Sequence, residues 1–232
     1  MTPRESKAAL GIVIDDSIDS AEWALRRTSG SFEVRRLQMI ETGSSLIGYY
    51  AEGSAALAVD FYDETRSKAR AKGRFAADPV ILDRVVAIRR GIAWAVEPLS
   101  IENEQAAIDR LTDIMRSEVV RPYRDTVIGN RLRDKESVGY KRIASGGACG
   151  FCRMLAGRGA VYKQSTAYFA SHGNCQCTVQ PWFRGQPGDE ANVIEYMASR
   201  RNKSAVQRQR VREWIASEYP DEAERSHTRS SR

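Results

Sequence analysis

The sequence predicts a mainly α fold in three parts: a helical N-terminal domain, a small loop-and-strand module, and a basic helical C-terminal segment. Three observations carry this expectation. Apolar residues recur at intervals of three and four through much of the first 143 positions. All four cysteines fall within one short stretch, between Cys149 and Cys177. A run of arginines and lysines free of acids follows that stretch. The boundaries expected are 1–143, 144–185 and 186–232.

Composition sets the frame. The chain has 232 residues, 42% hydrophobic and 28% charged, enough for a sizeable core in one or two domains. No apolar run is long enough to cross a bilayer. None of signal-peptide type precedes Asp15-Asp16, so the expectation is a cytoplasmic protein, or one packaged from a cytoplasm, with no membrane partner. The formal charge is +6. It permits contact with nucleic acid or an acidic surface, but acids are mixed among the bases.

In chain order, Asp16 is expected to cap a short helix with Ile18, Ala21 and Leu25 on one face, closed by Gly30. A helical region follows from Phe32 to Ala71, with Val34, Leu37 and Met39-Ile40 at helical spacing and a turn or kink at Gly43-Ser44-Ser45. Ala58, Phe61, Tyr62 and Thr65 form a core stripe, and Glu64 and Lys68 are placed for an i,i+4 ion pair. Lys72-Gly73-Arg74 reads as a linker. Asp78-Pro79 reads as a cap and first-turn proline, opening a helix that buries Ile81, Val85 and Ile88 and ends near Gly91. The longest clear helix is expected from Glu102 to Ile128, kinked or split at Pro122. No alternating strand pattern is evident in this half. Ala144-Ser145-Gly146-Gly147-Ala148 marks a shift in composition. Gly157-Arg158-Gly159 reads as a tight turn into a short strand, and Thr178–Phe183 as another strand. Helices are expected over 190–199 and 205–218, the second with a capping box from Ser204 and Gln207.

The module carries the chemistry. Cys149 and Cys152 form a two-spacer thiolate pair. His172, Cys175 and Cys177 follow about twenty residues on. A structural zinc site takes four Cys or His ligands in a closed tetrahedron, and clustered cysteines in a reducing compartment point to metal rather than to two disulfides. Five candidates compete for four places. An all-thiolate set is preferred, with His172 just outside it or bonded to backbone. A mixed set, Cys149 and Cys152 with His172 and either Cys175 or Cys177, is the alternative. The all-thiolate set carries two net negative charges, and Arg153 and Arg158 are near in sequence to offset them. Zinc would supply much of the folding energy of so small a module. No His-Glu-x-x-His or His-x-Glu element is present and no general base is identifiable, so neither an enzyme nor a small-molecule substrate is expected.

Two basic runs remain. Arg200, Arg201, Lys203, Arg208, Arg210 and Arg212 could meet phosphates or a protein partner, or be the wet face of a helix. Arg131, Arg133, Lys135, Lys141 and Arg142 are interrupted by Asp134 and Glu136. Neither run interleaves aromatics as a single-strand stacking platform does.

The run from Gly147 to Tyr162, holding Cys149 and Cys152, and its continuation from His172 to Pro181 closely resemble the minor capsid proteins of tailed actinobacteriophages, the MuF-like minor head proteins. The shared signature is Cys-x-x-Cys followed by His-x-x-Cys-x-Cys. Leu46–Tyr50, Ala55–Arg66 and Arg124-Asp125-Thr126 fit the family's helical part, and the likeness spans about residues 30–185. It implies a virion component of low copy number, inside the phage head or near the portal vertex, resident in host cytoplasm before assembly. Its partners would be the major capsid protein or the portal protein, with packaged double-stranded DNA as a further contact. Gln176 stands where many relatives carry arginine. A zinc-stabilised nucleic-acid-binding protein is the alternative function.

Overall fold

The computed structural model describes residues 1–144, 148–157, 159 and 177–186, with positions 206, 209, 210, 213 and 217. Helix α1 (Pro3–Arg27) starts well before the expected Asp16. Its signal is a capping box: Thr2 Oγ1 accepts from the Glu5 amide and the Glu5 carboxylate accepts from the Thr2 amide, with Pro3 in the first turn. Asp16 sits mid-helix and accepts from the Tyr50 hydroxyl at 2.8 Å.

Helix α2 (Phe32–Lys68) runs through Gly43-Ser44-Ser45 with no intervening turn. Ser44 and Ser45 donate back to the Ile40 and Glu41 carbonyls, which keeps both hydroxyls inside the helical ladder. Gly43 is a contact point: a Cβ there would lie 3.1 Å from Ile92 Cδ1. Val34 and Leu37 are exposed, whereas Ala58, Phe61, Tyr62 and Thr65 are buried as their spacing predicts. Glu64 and Lys68 pair at 3.1 Å.

No helix opens at Asp78-Pro79. Residues 71–84 form no helix or strand, and α3 (Val85–Ala95) begins seven positions after Asp78. The capping reading fails because the backbone there is already engaged. The Asp78 amide donates to Asn130 Oδ1 and the Asp78 carbonyl accepts from Asn130 Nδ2, while the Val80 amide donates to Thr126 Oγ1. Ile81 and Val85 consequently stay exposed.

A 3-10 turn (Glu97–Ile101) leads into α4 (Glu104–Arg133), capped by Asn103. It continues through Pro122 without the split that the proline allowed for. A proline inside a helix costs about 3 kcal/mol. The flanking turns bury Val119, Val120, Tyr123 and Val127. Each such side chain contributes about 1.5–3 kcal/mol, so packing outweighs the missing amide.

Strand β1 (Ser137–Ile143) pairs antiparallel with β2 (Thr178–Phe183), Arg142 opposite Val179 and Lys141 opposite Gln180. The second strand is the expected one. The first lies in the half expected to lack strands. It was hidden because its inward positions are Ser137, Gly139, Tyr140 and Arg142, which give no apolar alternation. Helix α5 (Gly150–Ala156) lies between the two strands in sequence.

Helices α1, α2 and α4 form a bundle with two hydrophobic clusters. One joins Leu25 of α1, Met39 and Ile47 of α2, Ile92 of α3, and Leu111 and Met115 of α4. The other joins Leu10, Phe61, Tyr62, Tyr123 and Val127 to Tyr140, Leu155, Val179 and Phe183. The N-terminal part of α1 therefore meets the C-terminal parts of α2 and α4. The ribbon and α5 seal that end. Ser6 Oγ and the Tyr123 hydroxyl share a 2.6 Å hydrogen bond inside it. No helix among the described residues is long and apolar enough to cross a membrane.

Candidate metal centre

Cys149 is the N-cap residue of α5 and half-buried, and Cys152 follows in the first turn of that helix, 1% exposed. Met154 and Leu155, on the same short helix, are buried in the ribbon-end cluster. They hold the thiol pair against the helical body. Cys177, also 1% exposed, immediately precedes β2 and belongs to that same cluster with Cys152. Strand pairing between Ile143 and Thr178 brings the two cysteine-bearing stretches to one end of the ribbon.

Three cations hold the backbone around these thiols. Arg124, buried in α4, donates from Nε to the Cys177 carbonyl at 2.7 Å. Arg153 Nη1 donates to the Ala148 carbonyl at 2.7 Å. Lys7 of α1 reaches the Ala144 carbonyl at 2.5 Å. Burial pushes the Lys7 ammonium below its ordinary pKa, and the neighbouring Cys177 works against that shift by favouring the charged form. A cluster of thiolates is negative, and cations at this range lower the cost of holding that charge away from water.

His172 and Cys175 lie outside the described residues. Among the described residues no three His, Cys, Asp or Glu side chains form a group that could hold a metal ion. That includes Cys149, Cys152 and Cys177, all of them described, so what speaks for zinc is the type and neighbourhood of the donors. Cys149 and Cys152 share one helical turn, Cys177 shares a cluster with Cys152, and soft thiolates are the donors that zinc prefers.

Of the C-terminal basic run, Arg210 is helical and exposed, and Arg200, Arg201, Lys203, Arg208 and Arg212 lie outside the described residues. The other basic run is divided by the fold. Arg142 is buried, Lys141 Nζ sits 4.7 Å from the Trp182 ring centroid, Arg131 donates to the Val138 carbonyl, and Arg133 and Lys135 are exposed. Lys7 and Arg124 carried no site signal in the sequence. Lys7 meets its partner across 137 positions and Arg124 across 53, distances at which no local pattern operates.

The fold and the cysteine cluster define a mainly helical protein whose thiol-bearing stretches are packed into its own core. The sequence matches the VG15 protein family over residues 18–204, and the chain belongs to that family. This membership indicates a phage-encoded protein. No curated protein and no solved structure matches the chain.

Proposed function

We propose that the chain is a structural minor head protein of a tailed phage, of the MuF-like kind, sited inside the head or near the portal vertex. In this reading a zinc ion ties α5 to the start of β2. The family match over residues 18–204 carries the phage assignment. The burial of Cys152 and Cys177 in one cluster supports the metal. The ligands are Cys149, Cys152 and Cys177, with Cys175 or His172 as the fourth. Bound zinc supplies a closed crosslink between the two stretches. Lys7, Arg124 and Arg153 fix the flanking carbonyls and offset the thiolate charge. The partners are the major capsid protein or the portal protein. The role is scaffolding, with no catalytic step and no small-molecule substrate.

Two measurements test this. Purified particles should contain the chain at low copy number by quantitative mass spectrometry, and its absence from them removes the head assignment. Reduced, purified protein should hold one zinc per chain. Cys149→Ser and Cys152→Ser should each release it and lower Tm by roughly 10 °C or more, since losing a bound metal costs several kcal/mol. Zinc-free protein whose melting is unchanged in the half-buried Cys149→Ser variant refutes the metal.

A further inference from the structure

We propose that the end of the bundle where α2 and α4 terminate is a docking face for the phosphate backbone of duplex DNA. This goes beyond the structural role above and does not depend on it. Three segments far apart in sequence meet there. Arg66 Nε bonds the Asp134 carboxylate at 2.8 Å and Arg66 Nη2 bonds the Lys72 carbonyl, so the loop after α2 is tied to the turn after α4. The Arg184 amide donates to the Glu136 carbonyl at 3.0 Å, which ties the turn after β2 to the same place. These bonds gather Arg70, Lys72, Arg74, Lys135 and Arg184, all exposed. No ion pair engages any of the five among the described residues.

Much of the nearby acid is already committed. Glu64 pairs with Lys68, Asp78 with Arg133 and Asp134 with Arg66, and Asp63 accepts from the Ala77 amide. Half-buried Glu136 remains among the cations. Lys68 and Arg133, in the last turns of their helices, have an ordinary explanation in the helix dipole. Arg70 and Lys135 stand one residue past the C-caps Ala69 and Asp134 and share that explanation, whereas Lys72, Arg74 and Arg184 lie beyond it.

Arg70 adds an independent observation. Its φ is 52°, and the Arg70 and Ala71 amides bond the Ser67 and Arg66 carbonyls. This is the helix-ending turn in which glycine is the preferred residue. An arginine there is strained, and strain of this kind is retained where the side chain serves another end.

Duplex phosphate suits the face better than the alternatives. The exposed positions among the cations include Ser67, Gly73, Ala76 and Gly185, small residues that let a sugar-phosphate backbone approach. A protein partner would instead call for an apolar centre. Phe75 is not a base-stacking platform, because its ring is taken by the Arg66 and Arg133 guanidinium groups, 5.6 and 5.4 Å from the centroid.

The test is fluorescence anisotropy of the full chain with a mixed-sequence duplex across a salt series. Engagement of five phosphates predicts a log–log salt slope of about −4 to −5. Combined Lys72→Gln, Arg74→Gln and Lys135→Gln should weaken binding about tenfold or more and reduce the slope by about three. Arg70→Gly should weaken binding while Tm stays level or rises, a divergence that damage to the fold does not produce. Arg208→Gln, Arg210→Gln and Arg212→Gln together should leave affinity within about twofold. The proposal is overturned if the wild-type chain fails to bind, or if the Lys72, Arg74 and Lys135 variant binds like wild type. It is equally overturned if loss is confined to the C-terminal variant, or if polyglutamate competes as well as unlabelled duplex, which would mark an acidic protein site.

Discussion

Asp134 is buried and accepts from Arg66 Nε at 2.8 Å, from the Tyr62 hydroxyl at 3.4 Å and, through its other oxygen, from the Glu136 amide at 3.0 Å. Arg66 is itself only 11% exposed. Deleting the carboxylate leaves a guanidinium with little water to replace it. Asp134→Ala should therefore cost about 3–5 kcal/mol in urea denaturation. Asp125 illustrates the opposite sign. Its carboxyl pKa is raised, chiefly by burial, with Arg121, Arg124 and Arg84 pulling it down and Glu118 adding to the rise. The folded state thus holds that proton more tightly than the unfolded chain. Ionised Asp125 disfavours folding at neutral pH, and the penalty fades as pH falls from the raised folded value to the ordinary 3.8. Asp125→Asn should be more stable than wild type at pH 7, with the gap closing across that acidic window in parallel urea titrations. Neither residue was legible. A charged side chain reads as solvated until its distant neighbours are known. Arg124-Asp125-Thr126 entered the sequence reading only as a likeness, although Arg124 and Thr126 hold the Cys177 and Val80 backbones.

Between α4 and the irregular segment after α2, side chains satisfy the backbone as a neighbouring strand would. Thr126 Oγ1 accepts from the Val80 amide at 2.9 Å and contacts its carbonyl at 3.3 Å, and Asn130 serves Asp78 in the same way. Gly129 makes room, since a Cβ there would meet Val80 Cγ2 at 2.9 Å. Thr126→Val keeps the shape but strands the Val80 amide. It should cost about 2 kcal/mol by chemical denaturation and speed amide exchange at Val80. The local signals at Asp78-Pro79 were genuine and misleading. They describe a helix start, and they lost to partners 46 and 52 positions away. Where burial followed a single element's own period, as at Ala58, Phe61, Tyr62 and Thr65, sequence sufficed. Continuous α2 and α4 were harder to see, because the cost of Gly43 and of Pro122 is local while the compensating contacts are not.

Across the molecule, the ribbon-end cluster contains residues from both sides of position 143/144, including Tyr62, Tyr123, Cys152 and Phe183. The effect of the cysteine and chelation experiments should therefore spread. If zinc joins α5 to β2, its removal should lower the stability of α1, α2 and α4 together, and amide exchange should rise in all three helices. Confinement of the change to residues 144–186 would mean that the ribbon end adds little to the bundle. The spacing of the cysteines made the candidate ligands legible. Of the cations around them, Arg153 was legible beside Cys152, whereas Lys7 and Arg124 were not, since they come from α1 and α4.

The hydrogen bonds Lys7–Ala144 and Ser6–Tyr123 span 137 and 117 positions, and the cluster around them closes only with Val179 and Phe183. During synthesis the first helix emerges from the ribosome long before its permanent partners exist. Leu10 and Ile14 must wait, covered by whatever the nascent chain or a chaperone offers, until translation has passed the second strand. The protein is thus committed late. Its first helix depends on its second strand, and premature termination within the cysteine region would yield a product whose first helix lacks part of its cover.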